Sequence, residues 1–547
     1  MHILGKWGKK QDQSMYSTCL DRLRLFCDEH VTTMKNSDYK IHYEGVIFNR
    51  IPEDLLKKYN HFDDAYGLFA YVKIDIKEER IVIGTDKLGF NPLFYSLGEH
   101  GIYFSTSLTL LKYEIKNPSI DYEAWDEILN IGDIIGRKTT VKEIKRLEPG
   151  TRIHISNERI TFERFWEPEV ENINKADDYI NNNNKLLAEA LELTKNAQPQ
   201  KVILLSGGLD SRRIGVAAHS IGLPFYFATQ AHYENLIEMG IAKKIAAVLN
   251  RNLEIFSAPP ASVAYNDSLI RDFWLGFETD QHEWIFPLIR EIPKNSLVYN
   301  GIAGDVAINA AIFREPFYPS LTGIYKDKDV DKIAAMICKK KTKLEIDKKR
   351  LNATIFERVR DELMKYPEIP QRLSYFYLLN HTRKNIALMD QLFSIMGHKI
   401  CYPFLYYPLL VQSLSLHPED AVKLFYQKAC METLNPNMKN IESTRDGSIK
   451  KHSFELAKES HKKELLLINN AKIKSETKNL IKRNKINIQL FEVASLLGIN
   501  KIAKHFAWRS IPLARMSMFI DWLNDTNGLK FQIEGAEPQF LNKRISV

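Results

Sequence analysis

The feature that most constrains this chain is the stretch 201–230, KVILLSGGLDSRRIGVAAHSIGLPFYFATQ. Its four apolar residues 202–205 have the length and composition of a buried parallel strand. Apolar spacing over residues 214–218 predicts a helix that Gly222 ends, and residues 225–229 predict the next strand. The stretch is therefore predicted to form a β-loop-α-β unit with a small, hydroxylated, glycine-containing turn after its first strand.

The turn SGGLDS has the composition of a phosphate-binding loop. In such a βα turn, backbone N–H groups and the helix N-terminus point into the space above the sheet and attract anions. Glycines let a phosphate approach the backbone, serines donate to its oxygens, and an aspartate can hold a metal ion. A glycine-rich turn without a ligand is the alternative. The candidate nucleotide-binding residues are Leu205, Ser206, Gly207, Gly208, Leu209, Asp210 and Ser211, with Thr229 in the next strand.

Length and composition indicate a multidomain globular protein. A chain of 547 residues exceeds a single core and predicts two or more domains. Its 44% apolar and 26% charged residues are typical of globular proteins, and no apolar run is long enough to cross a bilayer. The five cysteines show neither metal-type nor disulfide-framework spacing, and no signal peptide is recognised. These features predict a cytoplasmic protein.

The formal net charge of +8 is concentrated late in the chain, over residues 450–485. Acidic residues are interleaved there, which favours a solvated helical face; a docking surface for an acidic partner or peptide is the alternative. No RNA- or DNA-binding signature is present, which disfavours nucleic acid as a partner. A homodimer and a complex with a partner protein both stay open.

Several N-terminal motifs resemble those of the asparagine synthetases. GLFAY from Gly67, DKLGFNPLFY from Asp86, FSTS from Phe104 and FWEP from Phe165 occur in the family's order. They precede SGGLDS, which resembles the pyrophosphate loop of the ATP pyrophosphatases. Short apolar runs between turn signals also predict stacked sheets in this part, whereas longer helical patterns after residue 176 predict an α/β region.

The resemblance implies a fold of three parts. Residues 1–170 are expected to form an α+β, Ntn-hydrolase-like sandwich of stacked antiparallel sheets with helices, related to a glutaminase domain. Residues 176–455 are expected to form an α/β ATP-pyrophosphatase domain around a parallel sheet. Residues 456–547 are expected to form a basic, helical C-terminal extension.

The N-terminal part departs from the family where glutamine chemistry should lie. The family's nucleophile is a cysteine at the mature N-terminus, whereas this sequence begins with Met1 and His2. Internal cleavage that exposes Cys19 is the alternative. Val46 stands where the family has a glutamate that helps to hold glutamine, and Thr85 stands where it has an arginine. This domain is therefore predicted to be a scaffold without glutaminase activity.

A second loop, LVYNGIAGD over residues 297–305, resembles the family's second nucleotide loop. The resemblance implies that Asn300 and Gly301 lie beside the adenosine and the α-phosphate. It also implies that Asp305 and Asp210 are magnesium ligands at the ends of two strands; a turn or N-cap role for Asp305 is the alternative. ATP and Mg²⁺ are therefore the expected cofactors.

Two positions in this half differ from the family's catalytic pattern. Ile302 occupies the place of the catalytic glutamate, and Lys399 stands where β-lactam synthetases carry theirs. Since isoleucine cannot act as a base, the candidates for deprotonating an amine are Asp280, His282 and Glu283. Each of them could instead be an ordinary surface polar residue.

The segment 434–447 lies where the family delivers a lysine to the adenylate and the pyrophosphate. Arg445 is the nearest basic residue, and Lys439, Lys450 and Lys451 compete with it. A fixed guanidinium stabilises charge on the leaving pyrophosphate but cannot act as an acid. The predicted catalytic set is Arg445, Lys450 and Glu283.

The resemblance implies an ATP-dependent ligase that forms an amide bond. It would adenylate the carboxylate of a small molecule or peptide, release pyrophosphate and transfer the acyl group to an amine. Macrolactam formation, as in the lasso-peptide cyclases, and amidation of a polysaccharide or natural-product precursor are alternative reactions. An alternative of another class is an inactive nucleotide-binding or regulatory protein.

Overall fold

The architecture is two antiparallel sheets followed by a parallel sheet, in the order that the sequence predicts. The computed structural model describes residues 3–8, 23–27, 31–49, 52–56, 62–99, 101–156, 159–170, 176–231, 236–282, 285–308, 329–338, 344–422, 425–443, 454–471, 481–482 and 500–525.

Eleven strands and three helices of the described chain precede residue 170. They are β1 Ile3–Gly8, β2 Leu23–Cys27, β3 Thr32–Lys35, β4 Tyr39–Ile47, α1 Pro52–Leu55, β5 Gly67–Asp75, β6 Arg80–Thr85, β7 Phe94–Gly98, β8 Gly101–Ser105, α2 Leu108–Glu114, α3 Tyr122–Ile131, β9 Lys145–Arg146, β10 Thr151–Ile155 and β11 Ile160–Arg164. One sheet has the order β2-β1-β8-β7-β9, and the other has the order β11-β10-β6-β5-β4-β3.

The alternating side chains of β5 show how the two sheets stack. Val72 and Ile74 join a core cluster that also contains Ile3 and Trp7 of β1 in the other sheet. Phe69, on the opposite face of β5, packs with α1 and β4 side chains in a separate cluster. Because successive side chains of a strand point to opposite faces, β5 is buried on both sides.

The second half alternates helices with short strands; in the described chain five of these strands form a parallel sheet and two form a separate antiparallel pair. Its elements are α4 Ala176–Leu193, β12 Gln200–Leu204, α5 Leu209–Ser220, β13 Tyr226–Gln230, α6 Leu236–Val248, β14 Leu253–Phe256, α7 Ala261–Trp274, α8 Ile285–Glu291, β15 Ser296–Tyr299, α9 Val330–Ile337, β16 Glu345–Ile346, α10 Ile355–Met364, α11 Arg372–Tyr377, α12 Arg383–Ile395, β17 Lys399–Cys401, α13 Tyr407–Ser415, α14 Pro418–Val422, α15 Phe425–Leu434, α16 Phe454–Asn470, β18 Ile481–Lys482 and α17 Asn500–Asn524. Short π-helical turns lie at Gly304–Ile308 and Leu378–Thr382, and 3₁₀ turns lie at Lys348–Arg350, Pro403–Leu405 and Pro436–Asn440.

The parallel sheet has the order β14-β13-β12-β15-β17 and is covered on both faces. Val202 and Leu204 of β12 enter one apolar cluster, and Ile203 enters another together with Leu209 and Ile214 of α5. Burial on both faces explains why β12 reads as a continuous apolar run. The β-loop-α-β unit therefore forms at the centre of this sheet, where the sequence predicts it.

The C-terminal helices α16 and α17 pack against the N-terminal half. Leu467 and Ile468 of α16 and Phe519 and Trp522 of α17 share a core cluster with Trp125 of α3. The region expected to be a basic extension therefore contributes an apolar face to a core near the start of the chain. Among the described helices, none combines the length and the apolar character that crossing a bilayer requires.

Candidate functional site

The candidate site lies where the strand order of the parallel sheet reverses. From β12 the chain adds β13 and β14 on one side, and then β15 and β17 on the other. Strands β12 and β15 are parallel neighbours, with Val202 opposite Val298. In open α/β sheets, ligands bind beyond the carboxyl ends of the strands at such a switch point. Both loops predicted to bind nucleotide leave the sheet here.

The first loop is tied to the start of α5 by its two serines. The Ser206 backbone N–H donates to Ser211 Oγ at 3.0 Å, and the two hydroxyl oxygens lie 3.1 Å apart. The Gly208 N–H donates to Ser206 Oγ at 3.2 Å. Gly208 precedes the helix without a side-chain cap, so the first turn of α5 presents N–H groups suited to an anion.

The second loop approaches the first as closely as glycine allows. A Cβ atom on Gly301 would lie 2.9 Å from the backbone nitrogen of Ser211 and 3.2 Å from Asp210 Cβ. A Cβ atom on Gly304 would lie 3.0 Å from Asp210 Cβ and 2.8 Å from the Phe404 ring. The structure therefore packs the loop that carries Asp305 against the helix turn that carries Asp210.

The two aspartates form a donor set that fits magnesium bound together with a nucleotide. Asp210 Oδ1 accepts from Gln427 Nε2 at 2.6 Å, and Asp305 Oδ1 accepts from the Val306 N–H at 2.8 Å. Among the described residues no group of three or more His, Cys, Asp or Glu could hold a metal ion alone. Mg²⁺ commonly takes one or two protein carboxylates and completes its shell with phosphates and water. Two carboxylates beside a phosphate-type loop fit this requirement.

Gln427 is a site residue that sequence reasoning did not identify. It lies on α15, and its side chain is buried beneath Asp210. Its amide nitrogen fixes one carboxylate oxygen of Asp210, which orients the carboxylate. No local pattern marks it, because 217 residues separate the two partners.

Asn300 and Thr229 lie at the carboxyl ends of β15 and β13, and both are buried. The Asn300 side chain closes its own loop: its Oδ1 accepts from the Ile302 N–H at 3.0 Å. Ile302 packs against the apolar core cluster beside the sheet. The loop is thus held by backbone-directed contacts, and Ile302 supplies only apolar surface.

Arg212 anchors a distant segment at the first loop. This buried residue of α5 donates to the carbonyl oxygens of Ile441 at 2.9 Å and Glu442 at 2.7 Å. The three predicted catalytic residues, Arg445, Lys450 and Glu283, lie outside the described residues, as do Cys19 and His2. Residues 441–442, which precede Arg445 and Lys450 in the sequence, are therefore held beside the SGGLDS loop.

Two further base candidates lie on the loop between α7 and α8. The Asp280 side chain is half-exposed, and its Oδ2 lies 3.9 Å from Arg515 Nη1. The backbone of His282 has a φ angle of +62°, in the left-handed region. Nearby Glu278 is buried in an ion pair with Arg146 of β9, so this loop also binds the N-terminal half.

Lys399 lies at the amino end of β17, level with Leu297, whereas the candidate site lies at the carboxyl ends. Its side chain therefore starts at the wrong end of the strand for a role in the site.

Three side chains from the predicted glutamine-binding region, one apolar and two acidic, are buried in the N-terminal half. Val46 is buried, and the Glu44 carboxylate accepts a hydrogen bond from the Thr106 hydroxyl. Asp86 is buried and accepts backbone N–H groups of Leu88, Phe90 and Asn91 at 3.0–3.2 Å. Burial raises the pKa of Asp86 to about 6, against the effect of these hydrogen bonds. Asp86 therefore shapes a turn.

Residues 53–166 match the model of a glutamine amidotransferase domain. The chain is 25% identical over 214 residues to asparagine synthetase (glutamine-hydrolysing) 3 of Bacillus subtilis (strain 168), covering 34% of each chain. It is 24% identical over 234 residues to asparagine synthetase (glutamine-hydrolysing) 1 of the same organism, covering 41% of this chain and 36% of the relative. The chain thus spans about a third of the length of these curated relatives.

Among solved structures, the chain is similar to glutamine phosphoribosylpyrophosphate amidotransferase from B. subtilis, complexed with ADP and GMP. The sequences are 10% identical, the TM-score is 0.20, and the match covers 56% of this chain and 77% of that chain.

Proposed function

Residues 53–166 match a glutamine amidotransferase domain and part of the chain is similar to asparagine synthetases, and from this premise we propose that the chain is an ATP-dependent carbon–nitrogen ligase. The observation that carries the proposal is the packing of the Gly301 loop against Asp210 at the switch point of the parallel sheet. The first turn of α5 with Asp210 lies there against the loop that contains Gly301 and Gly304, and Asp305 belongs to the same loop. This combination suits a triphosphate with its metal ion.

In the proposed reaction, a substrate carboxylate oxygen attacks the α-phosphorus of ATP, and the bond to pyrophosphate breaks. An amine then attacks the acyl carbon, loses a proton, and AMP leaves with the former carboxylate oxygen. The N–H groups at the start of α5 and the Ser206 hydroxyl bind the phosphates and hold them in line. Bound Mg²⁺, held by Asp210 and Asp305, would neutralise phosphate charge. The hydrogen bond from Gln427 would restrict the orientation of the Asp210 carboxylate during this step.

Arg445 and Lys450 remain our candidates for stabilising the leaving pyrophosphate, and Glu283 remains our candidate base. The contact of Arg212 with Ile441 and Glu442 supports the first assignment, since it holds the preceding chain at the loop. Enclosure of the acyl-adenylate would protect it from water.

We propose that the amine is not supplied by glutamine hydrolysis in this chain. Buried Val46 supports this, because its apolar side chain cannot hold the amino group of glutamine as a glutamate would. Ammonia or an amine carried by the substrate is then the acceptor. A peptide substrate would give a macrolactam or amide, and a uronic acid would give an amidated sugar.

The test is pyrophosphate release from ATP with a panel of peptides, amino acids and uronic acids, each with an amine. With an active pair, Asp210→Asn and Asp305→Asn should each lower the rate by about 10²-fold or more, because the charge facing Mg²⁺ is lost. Asp361→Asn, at an exposed carboxylate paired with Arg360, is the matched control and should leave the rate unchanged.

Near-wild-type release by either site variant would contradict the proposal. Binding of Mg-ATP without release for any pair would favour a nucleotide-binding protein that has lost catalysis. The packing of Ile302 against the apolar cluster supports this second function, because an isoleucine at the position of the family's catalytic glutamate cannot act as a base.

A further inference from the structure

A cleft of about 1150 Å³ opens between the N-terminal half and the helices α4 and α13. Its wall includes Lys87 and Trp166 from the N-terminal half, and Tyr179 and Tyr407 from the two helices. The volume exceeds what a single amino-acid side chain fills and lies just above the range of about 300–1,000 Å³ of ordinary ligand pockets. Among the described residues, none of those assigned above to nucleotide or metal lines it.

One cationic side chain of the protein, Lys87, already lies against two aromatic rings in this cleft. The Lys87 ammonium nitrogen lies 4.9 Å from the centroid of the Tyr407 ring and 5.8 Å from that of the Trp166 ring. Both distances are within the range of cation–π attraction. Burial lowers the pKa of Lys87, and the charges of Asp64 and Asp63 oppose that change. The wall therefore has the chemistry that recognises an ammonium group, demonstrated on a side chain of the protein itself.

The charged side chains in the described lining of the cleft are predominantly acidic. The described lining carries four acidic side chains and a single basic one; the acidic ones are Asp64, Glu167, Glu169 and Asp178. Glu167 forms an exposed ion pair with Arg164 at 2.8 Å. This negative cleft stands out on a chain whose formal net charge is +8. Its field attracts cations and repels anions such as a free nucleotide.

Polar amides add hydrogen-bonding groups for a backbone. Asn182 is exposed at the rim, and Gln412 accepts from Asn183 at 2.8 Å through its side-chain oxygen, leaving its amide N–H₂ near the cleft surface. Aromatic faces, carboxylates and amides together match an extended segment that carries ammonium groups.

We propose that this cleft binds a lysine-bearing peptide segment, with one ammonium group seated on Trp166 and Tyr407 and the others facing Glu169 and Asp178. The site is separate from the proposed ATP chemistry, and binding requires neither ATP nor Mg²⁺. Lys87 acts as a built-in competitor for the aromatic faces.

The experiment is calorimetric titration of the full chain, without nucleotide, with a blocked hexapeptide of alternating glycine and lysine. Matched hexapeptides with glutamine or glutamate in place of lysine test the charge requirement. We expect the lysine peptide to bind, the other two not to bind, and the affinity to fall as salt increases.

Two variants with opposite expected effects test the location. Glu169→Gln combined with Asp178→Asn should weaken binding about tenfold, because two exposed charge contacts are lost. Glu254→Gln combined with Glu291→Gln changes the net charge equally at exposed positions outside the cleft, and it should leave affinity unchanged. Lys87→Met should tighten binding a few-fold, because it vacates the rings and removes a like charge.

Equal binding of the lysine and glutamine peptides would overturn the proposal. So would equal loss in the cleft and control double variants, or weaker binding by Lys87→Met. Failure of these tests would leave the pyrophosphate-release result untouched, since that assay reports only on the Asp210 and Asp305 loops.

Discussion

Replacing Gly301 by alanine tests the contact on which the proposed nucleotide site depends. The added Cβ would lie 2.9 Å from the Ser211 backbone nitrogen and 3.2 Å from the backbone carbon of Asp210, whereas ordinary contacts are 3.4–4 Å. Both neighbours belong to the first turn of α5, which cannot rotate away as a flexible side chain can. The Gly301 loop must therefore retreat by about 0.5 Å, the difference between these distances.

We expect two measurable consequences of this retreat. Overpacking against a helix backbone should destabilise the protein by about 1–3 kcal/mol, measured as a shift of the urea unfolding transition. Because a misplacement of about 1 Å can lower a rate by about 10²-fold, half that displacement should lower pyrophosphate release by about tenfold.

Gly240→Ala is the matched control, since a Cβ there meets nothing within 4 Å on helix α6. It should leave the rate unchanged and stabilise the helix by up to about 1 kcal/mol. If Gly301→Ala keeps both the wild-type rate and the wild-type stability, the two loops are not in contact and the proposed nucleotide site does not form between them.

Two other outcomes are expected. No glutamate should be released from labelled glutamine above the buffer blank, with the N-terminal mass confirmed on the same sample; release that matches AMP formation would show an active glutaminase. His42, buried beside Thr33 and Cys27, has its pKa lowered from 6.5 to about 4 by burial and then by Lys40. Its neutral form therefore supports stability above pH 6.5 and this support is lost as pH falls towards 4. Wild type should thus lose up to about 3 kcal/mol more than His42→Gln over that interval in urea titrations; parallel losses would contradict the assignment.

The sequence by itself determined the local units of the candidate site. Residues 202–205 form an uninterrupted apolar run because β12 is buried on both faces. This pattern is visible in consecutive residues of the sequence. After this strand, the glycine-containing turn predicts a loop, and the apolar spacing that follows predicts a helix. The strand, turn and helix over residues 202–218 needed only the periodicity of neighbouring residues. Asp305 was placed at the end of a second strand by the resemblance of residues 297–305 to the family's second nucleotide loop.

Only the tertiary structure decided which distant groups meet. The strand order places β15 beside β12, which brings the Gly301 loop against Asp210, and α15 brings Gln427 to the same carboxylate. The cleft around Lys87 likewise forms from two halves of the chain. Such contacts depend on how apolar faces of separate elements pack together, and periodicity specifies a face without specifying its partner.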